Sequence, residues 1–415
     1  MSSSTKTKSQ QLQASASAES ASIFPKADLA QKIHQLTKMS CGTLESDKSN
    51  MLTLTKEVQD EILNEWENPY LYLSLQESLS WEGSSVSSSS STTKLQDLKT
   101  KHEETLVTLE TKVQDAKEHA GDMEVLDARL EMARFAAKSC RKETAMDLYQ
   151  KLLDLPKLST GKTIDALMEC SRVASFYGNV IENASMIERA SKLAEQGGDW
   201  DRRNRLKVYT ALSKLLARDI KGASELLVDC IATFSCNELC SYTEFLVYTI
   251  LSNILHLPRP ALKAKLIDGP EILTVQREIP EVFQLMNALY DCDYKAYLHS
   301  MVKVHKVLIA DRLLEPHAGY WMRELHVLGY KQFLDSYQSV TLSSMAVSFG
   351  VSTDYLDLQL SRFIAAGRLT AKIDKFGGVV ETNRPDRKNA QYRAIIQDGD
   401  ALLNRIQKLA RVVDV

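Results

Sequence analysis

The amino-acid sequence predicts a mostly α chain: a right-handed helical-repeat solenoid of tetratricopeptide-like type, then a winged-helix module, then a C-terminal helix. Three observations carry this expectation. Ala, Leu, Lys and Glu recur at helical spacing from Asp122 to beyond residue 300. Within that stretch a short pattern returns at a fixed interval. Strand signals are confined to the last hundred residues, where two short helical patterns run into a hairpin.

Residues 1–24 are rich in Ser, Gln and Ala without periodicity and are expected to be disordered. Residues 25–82 form a small helical N-terminal segment, and GSSVSSSSSTT (83–93) reads as a flexible linker. The solenoid is placed at 94–320. It opens with KLQDLKTKHEETLVTLETKVQDAKEHAG, a charged helix carrying Leu95, Leu98, Leu106, Leu109 and Val113. Only about two heptads are clean, so a solvated helix packing one edge is expected rather than a coiled coil. Downstream, ETAMDLYQKLL, ENASMIERASKL and KGASELLVDCI each set a small alanine three residues before a larger apolar residue. The pairs are Ala145/Leu148, Ala184/Ile187 and Ala223/Leu226, and successive alanines lie 39 residues apart. The small residue lets two helices of a pair approach closely. No single pair buries its own apolar face, so neighbours must stack.

The winged helix is placed at 321–392. An amphipathic helix begins at Trp321, and SVTL gives a short extended lead-in. A helix over Leu342–Phe349 is closed by Gly350, and Ser352 caps the next, from Thr353 to about Ala366. RLTAKID and GVVETN flank Gly377-Gly378, which predicts a hairpin with a Gly-Gly turn whose central residues have positive φ. The terminal helix, 393–415, carries Ile395, Ile396, Leu402, Leu403, Ile406, Leu409 and Val412 on one broad stripe.

A winged helix is best known for reading DNA, but the charges here argue otherwise. The net charge is −3 and the pI about 6.3, with no basic footprint. The second helix of the motif, which would enter the major groove, carries Asp354 and Asp357 and only Arg362 as a base. Lys372 and Lys375 lie near the wing. Carboxylates repel phosphates, so a protein-docking module is expected, with a hairpin edge that accepts another chain's strand.

Other chemistry finds little support. STGKT (159–163) is similar to the end of a phosphate-binding loop, but Pro156 stands where the first glycine belongs, and Gly161 reads as an inter-helix turn. CNELC lacks the paired ligand spacing of a structural zinc site, so Cys230, Cys236 and Cys240 read as buried thiols. No catalytic, cofactor or metal constellation can be assembled, and no enzyme is expected. Seven cysteines, with neither an apolar signal core nor transit-peptide arginines near residue 1, point to a reducing cytosolic or nuclear compartment. FLVYTILSNILHL (245–257) is too short to span a bilayer, so no membrane partner is expected.

A helical array running into a winged helix and a terminal helix is the PCI architecture. The strings SRFIAAGRL, KIDK, VETNRPD, KNAQY and GDALLNRIQKL, with GGDWDRRNRLKVY and ELLVDCIATF upstream, resemble the family of non-ATPase subunit seven of the 26S proteasome regulatory particle lid. The resemblance covers roughly 120–415. It implies a non-catalytic scaffold without cofactor, a hetero-oligomer in the cytoplasm and nucleus that supports ubiquitin-dependent degradation. Its implied partners are other PCI subunits of the lid, with the ATPase ring and core particle nearby, and no nucleic acid. The residues expected to carry these contacts are Val379, Val380, Glu381 and Thr382 of the hairpin edge and Leu402, Leu403, Ile406 and Leu409 of the terminal helix. The alternatives are a PCI subunit of the paralogous signalosome complex and a nucleic-acid-binding PCI protein of messenger-RNA export.

Overall fold

Helices account for most of the chain. The computed structural model describes residues 24–44, 48–79, 90–119, 121–139, 141–155, 158–382 and 387–413. The expected disorder of 1–24 lies almost wholly outside them. The chain divides into two units, Met1–Asn287 with His299–Met322, and Ala288–Leu298 with Arg323–Val415.

The first unit begins with α1 (Ala27–Ser40), α2 (Lys48–Asp60) and α3 (Pro69–Leu79). They close around Leu29, Leu36, Val58, Ile62 and Trp66. The charged helix α4 (Ser90–His119) starts inside the tract expected to be a linker, so residues 90–93 are helical. Its apolar edge, Leu95, Leu109 and Val113, is buried together with His102, and most of its other residues are exposed, as expected of a helix packing one edge.

The array continues through α5 (Asp122–Lys138), α6 (Lys142–Leu153), α7 (Thr160–Phe176), α8 (Val180–Gly197), α9 (Trp200–Leu216) and α10 (Ile220–Asp229). Each helix packs on its sequence neighbours, and α7 also packs on α9, the arrangement of stacked pairs. The 39-residue pattern falls on α6, α8 and α10, the second helix of each pair, but its middle position is off by one. Ala145 and Ala223 are buried four residues before the buried Tyr149 and Leu227. Ala184 is exposed, and Asn183 fills the matching place before Ile187. Asn183 is tolerated there because its Oδ1 accepts the Ser171 hydroxyl at 2.5 Å.

Ser159 caps α7, so Gly161 sits in the first helical turn rather than in an inter-helix turn. α11 (Tyr242–His256) is the apolar run of the sequence. A full capping box, Ser241 with Glu244, starts it, and it is buried on nearly every face over 245–254. The short helices α12 (Arg259–Leu262) and α13 (Pro270–Val275) lead to α14 (Pro280–Asp291), α15 (Tyr294–Ala310) and α16 (Ala318–Leu334).

In the second unit, β1 (Ser339–Thr341), α17 (Leu342–Phe349), α18 (Thr353–Ala365), β2 (Ala371–Asp374) and β3 (Val379–Thr382) make the winged helix. Thr341 caps α17 and Ser352 caps α18, and Gly350 ends α17 in the left-handed conformation. The sheet is antiparallel with strand order β1-β3-β2. Its buried face meets Tyr330, Phe333, Met345, Phe349, Leu356 and Leu360. The last helix, α19, spans Arg387–Val413 and so begins before residue 393.

Candidate functional site

The hairpin differs from its expected form in two ways. Its loop has four residues, Lys375–Gly378, and only Gly378 has positive φ. Asp374 causes this: its Oδ1 accepts the Phe376 amide at 3.0 Å, an Asx turn that widens the loop. More important, Val379–Thr382 is not an edge. β3 lies between β1 and β2, with Val380 opposite both Val340 and Ile373, and Val380 is 0% exposed. Thr382 is further committed, its amide and hydroxyl donating to Gln338 O at 2.9 and 3.0 Å. The main-chain groups of Val379, Val380, Glu381 and Thr382 therefore serve the internal ladder, and a strand from another chain could add only beside β1 or β2. The extended lead-in SVTL was the signal of a third strand; its pairing with β3 was the step that sequence reasoning missed.

The exposed face of the winged helix is apolar and charge-balanced. Val347, Tyr355, Leu358 and Phe376 are exposed. Asp357 Oδ2 sits 3.1 Å from Lys375 Nζ, so the lysine of the wing is neutralised by the helix a DNA reader would insert. A phosphate surface would meet Lys375 already paired and the carboxylate of Asp354, with exposed Lys372 the cation on the neighbouring strand.

α19 carries the other predicted residues. Leu402, Leu403, Ile406 and Leu409 are 53–66% exposed, as are Tyr392, Ile395 and Ile396 within the same order of exposure. They recur with a period of seven: Ile395, Leu402 and Leu409 in one row, Ile396 and Leu403 in another, and Tyr392 and Ile406 between the two. A period of 3.5 is the one that packs between helices of a bundle. Val412 lies outside the residues whose side chains are described.

The cysteines Cys230, Cys236 and Cys240 are buried and unbridged, and burial raises each thiol pKa. Burial likewise lifts Cys170 to about 12. These are inert thiols at neutral pH. Among the described residues no group of three His, Cys, Asp or Glu is placed to hold a metal ion, and no helix is long and apolar enough to cross a membrane.

What CNELC contributes is Glu238. It takes Arg205 at 2.5 Å and the Tyr209 hydroxyl at 3.2 Å, and Tyr209 in turn accepts Arg172 at 3.1 Å. This belongs to a ladder between the first helices of successive pairs. Lys162 meets Asp127, Arg134 meets Glu169, Arg202 meets Asp165 and Arg172 meets Tyr209, at separations of 35, 35, 37 and 37 residues. Complementary charges one repeat apart were the overlooked sequence signal.

Residues 91–265 match the family described as 26S proteasome subunit RPN7, and 296–384 match the PCI domain. Residues 391–413 match the C-terminal helix of 26S proteasome regulatory subunit RPN7/PSMD6. A 26S proteasome non-ATPase regulatory subunit 6 homolog of Arabidopsis thaliana is 44% identical, over 77% of this chain and 83% of the relative. The chain belongs to the RPN7 family of 26S proteasome regulatory subunits. RPN7-family relatives include subunit 6 of Oryza sativa subsp. japonica, 42% identical over 77% of this chain and 82% of its own length. RPN7 of Saccharomyces cerevisiae is 36% identical over 75% and 74%. COP9 signalosome complex subunit 1 of Arabidopsis thaliana is 24% identical over 47% of this chain and 45% of its own length, which does not favour the signalosome alternative over the RPN7 family.

Proposed function

We propose that this chain is a non-catalytic scaffold subunit of the 26S proteasome regulatory particle lid, acting in ubiquitin-dependent protein degradation. The observation that carries the reading is α19: a helix matching the RPN7/PSMD6 C-terminal helix whose heptad stripe is exposed throughout. In this reading Leu402, Leu403, Ile406 and Leu409 enter a helix bundle with other lid subunits. Each side chain fully buried there contributes about 1.5–3 kcal/mol. The apolar winged-helix face docks a neighbouring PCI subunit, and any added strand joins at β2, where Lys372 is exposed and Ile373 half-buried. The complex works in cytoplasm and nucleus beside the ATPase ring and core particle, without nucleic acid or membrane as partner.

The test is purification of the tagged chain from its native cell, intact and with Leu402, Leu403 and Ile406 replaced by Glu, followed by mass spectrometry. The intact chain brings down lid subunits and the variant loses them. Recovery of signalosome subunits or messenger RNA with the intact chain would overturn the assignment. Equal recovery of lid subunits by both forms would remove α19 from the assembly.

A further inference from the structure

The helix α1 lies well before residue 91, where the RPN7 match begins. Within the first unit it is fastened to a segment some 280 residues further along the chain. Gln31 is used at both ends of its amide: Nε2 donates to Ala310 O at 2.9 Å, and Oε1 accepts the Arg312 N–H at 3.0 Å. Lys38 pairs with Glu315 at 2.6 Å, and His34 Nε2 lies 3.4 Å from Ile309 O. Arg312 carries the contact onward. Its guanidinium donates to the carbonyls of Ser175 and Phe176 at the end of α7, where Ser175 O also accepts the Gly178 N–H at 3.0 Å. The Phe176 ring lies 5.9 Å from Trp66, in the core that holds Leu29 and Leu36 of α1.

The seat is mixed and incompletely filled: Leu29 and Leu36 of α1 enter the apolar core, and Gln31, His34 and Lys38 make polar contacts beside it. A cavity of about 60 Å³ is lined by Asp28 and Gln31 of α1 together with Arg172, Glu244, Tyr248 and Arg312. A helix seated over an unfilled cavity makes fewer packing contacts than one on a filled core and opens at lower free energy. It is also the reverse of solenoid logic, in which each element touches only its neighbours.

We propose that α1 is a detachable clasp: a helix bound in cis whose Gln31, His34 and Lys38 add to the anchors that Asp311 makes with Tyr248, Arg312 with the end of α7 and His317 with Leu216 O in the connection between α15 and α16, and whose release loosens that connection. The solenoid thus contains a helix-binding seat whose occupant is residues 27–40 of the same chain. Opening it changes the restraint on 311–317 without unfolding the stacked pairs between.

Hydrogen exchange read by mass spectrometry on the full chain tests this. Gln31→Ala should speed exchange in 27–40 and in 311–317 by about tenfold, the loss of about one net hydrogen bond or two, while α8 to α10 keep their protection. Lys38→Glu should act in the same direction, and the double exchange Lys38→Glu with Glu315→Lys should restore protection. Unchanged exchange at 311–317 in Gln31→Ala overturns the proposal. So does acceleration spread over the whole first unit, which would make α1 ordinary core, and so does failure of the charge exchange to restore what Lys38→Glu removes.

Discussion

Arg134 of α5 grips Glu169 of α7 as a fork, with Nε 3.1 and 3.2 Å from the two carboxylate oxygens and Nη2 at 2.6 Å. The pair joins one helical repeat to the next, and the same carboxylate accepts the buried Tyr149 hydroxyl at 2.9 Å. The two partners are unequal: the Glu169 side chain is 9% exposed and that of Arg134 58%. Removing the carboxylate leaves Arg172, Tyr149 and Arg134 without it, whereas removing Arg134 leaves Glu169 its tyrosine. Glu169→Ala should therefore cost about 3 kcal/mol, and Arg134→Ala about 1 kcal/mol or less. Urea unfolding of the two variants measures the difference; equal costs would mean that the fork works as an ordinary surface pair.

Val380 belongs to the centre of the three-stranded sheet, and Phe376 to the tip of its loop, fully exposed. Val380→Ala should destabilise the chain by about 2 kcal/mol through lost burial and the void left behind. Phe376→Ser should leave stability within about 0.5 kcal/mol, since it touches no core. Were Val380 an edge residue, the two would behave alike.

The elements legible in the sequence were those with local chemistry. Ser352 and Gly350 announce their helix ends because a cap side chain and a left-handed residue act within one turn. The stripe of α19 was legible because helical periodicity is local too. Strand order was not: placing β3 between β1 and β2 depends on Val340, Val380 and Ile373 meeting across 40 residues of chain, which no turn signal encodes. The Ala184 misplacement has a similar cause. A regular spacing in sequence ignored a one-residue rotation of α8, which a satisfied Asn183 permits. The seat of α1 rests on Gln31, an amide with no pattern to single it out until the chain is folded.

Leu402 and Ile406 rest in water, and this separates folding from assembly. Leu402→Glu with Ile406→Glu should leave the thermal unfolding of the isolated chain unchanged, because neither side chain is in a core and both substitutions keep good helix formers. Thermal melts of the purified chain check it. A fall of several degrees would show that the stripe is covered within the chain, and would shift the burden of the proposed assembly onto the winged helix.

His102 gives the stability a predictable pH dependence. The ring is buried on α4; Nε2 donates to Glu67 O at 2.8 Å, and Nδ1 is buried without a partner. Burial, opposed by that carbonyl and aided by nearby Lys138 and Arg141, holds its pKa below the usual 6.5. Burial lowers His34 as well. Between the lowered folded value and 6.5 the unfolded chain binds a proton that the folded chain refuses. Stability is therefore complete above about pH 6.5 and falls as the pH drops through that window, by at most about 1.4 kcal/mol per pH unit for each histidine. His102→Gln retains a donor for the Glu67 carbonyl but cannot titrate, so its urea midpoint should change less between pH 7.5 and pH 5.5 than that of the parent chain. An unaltered slope would mean that the His102 ring takes up its proton in the folded state, with Nδ1 reaching an acceptor.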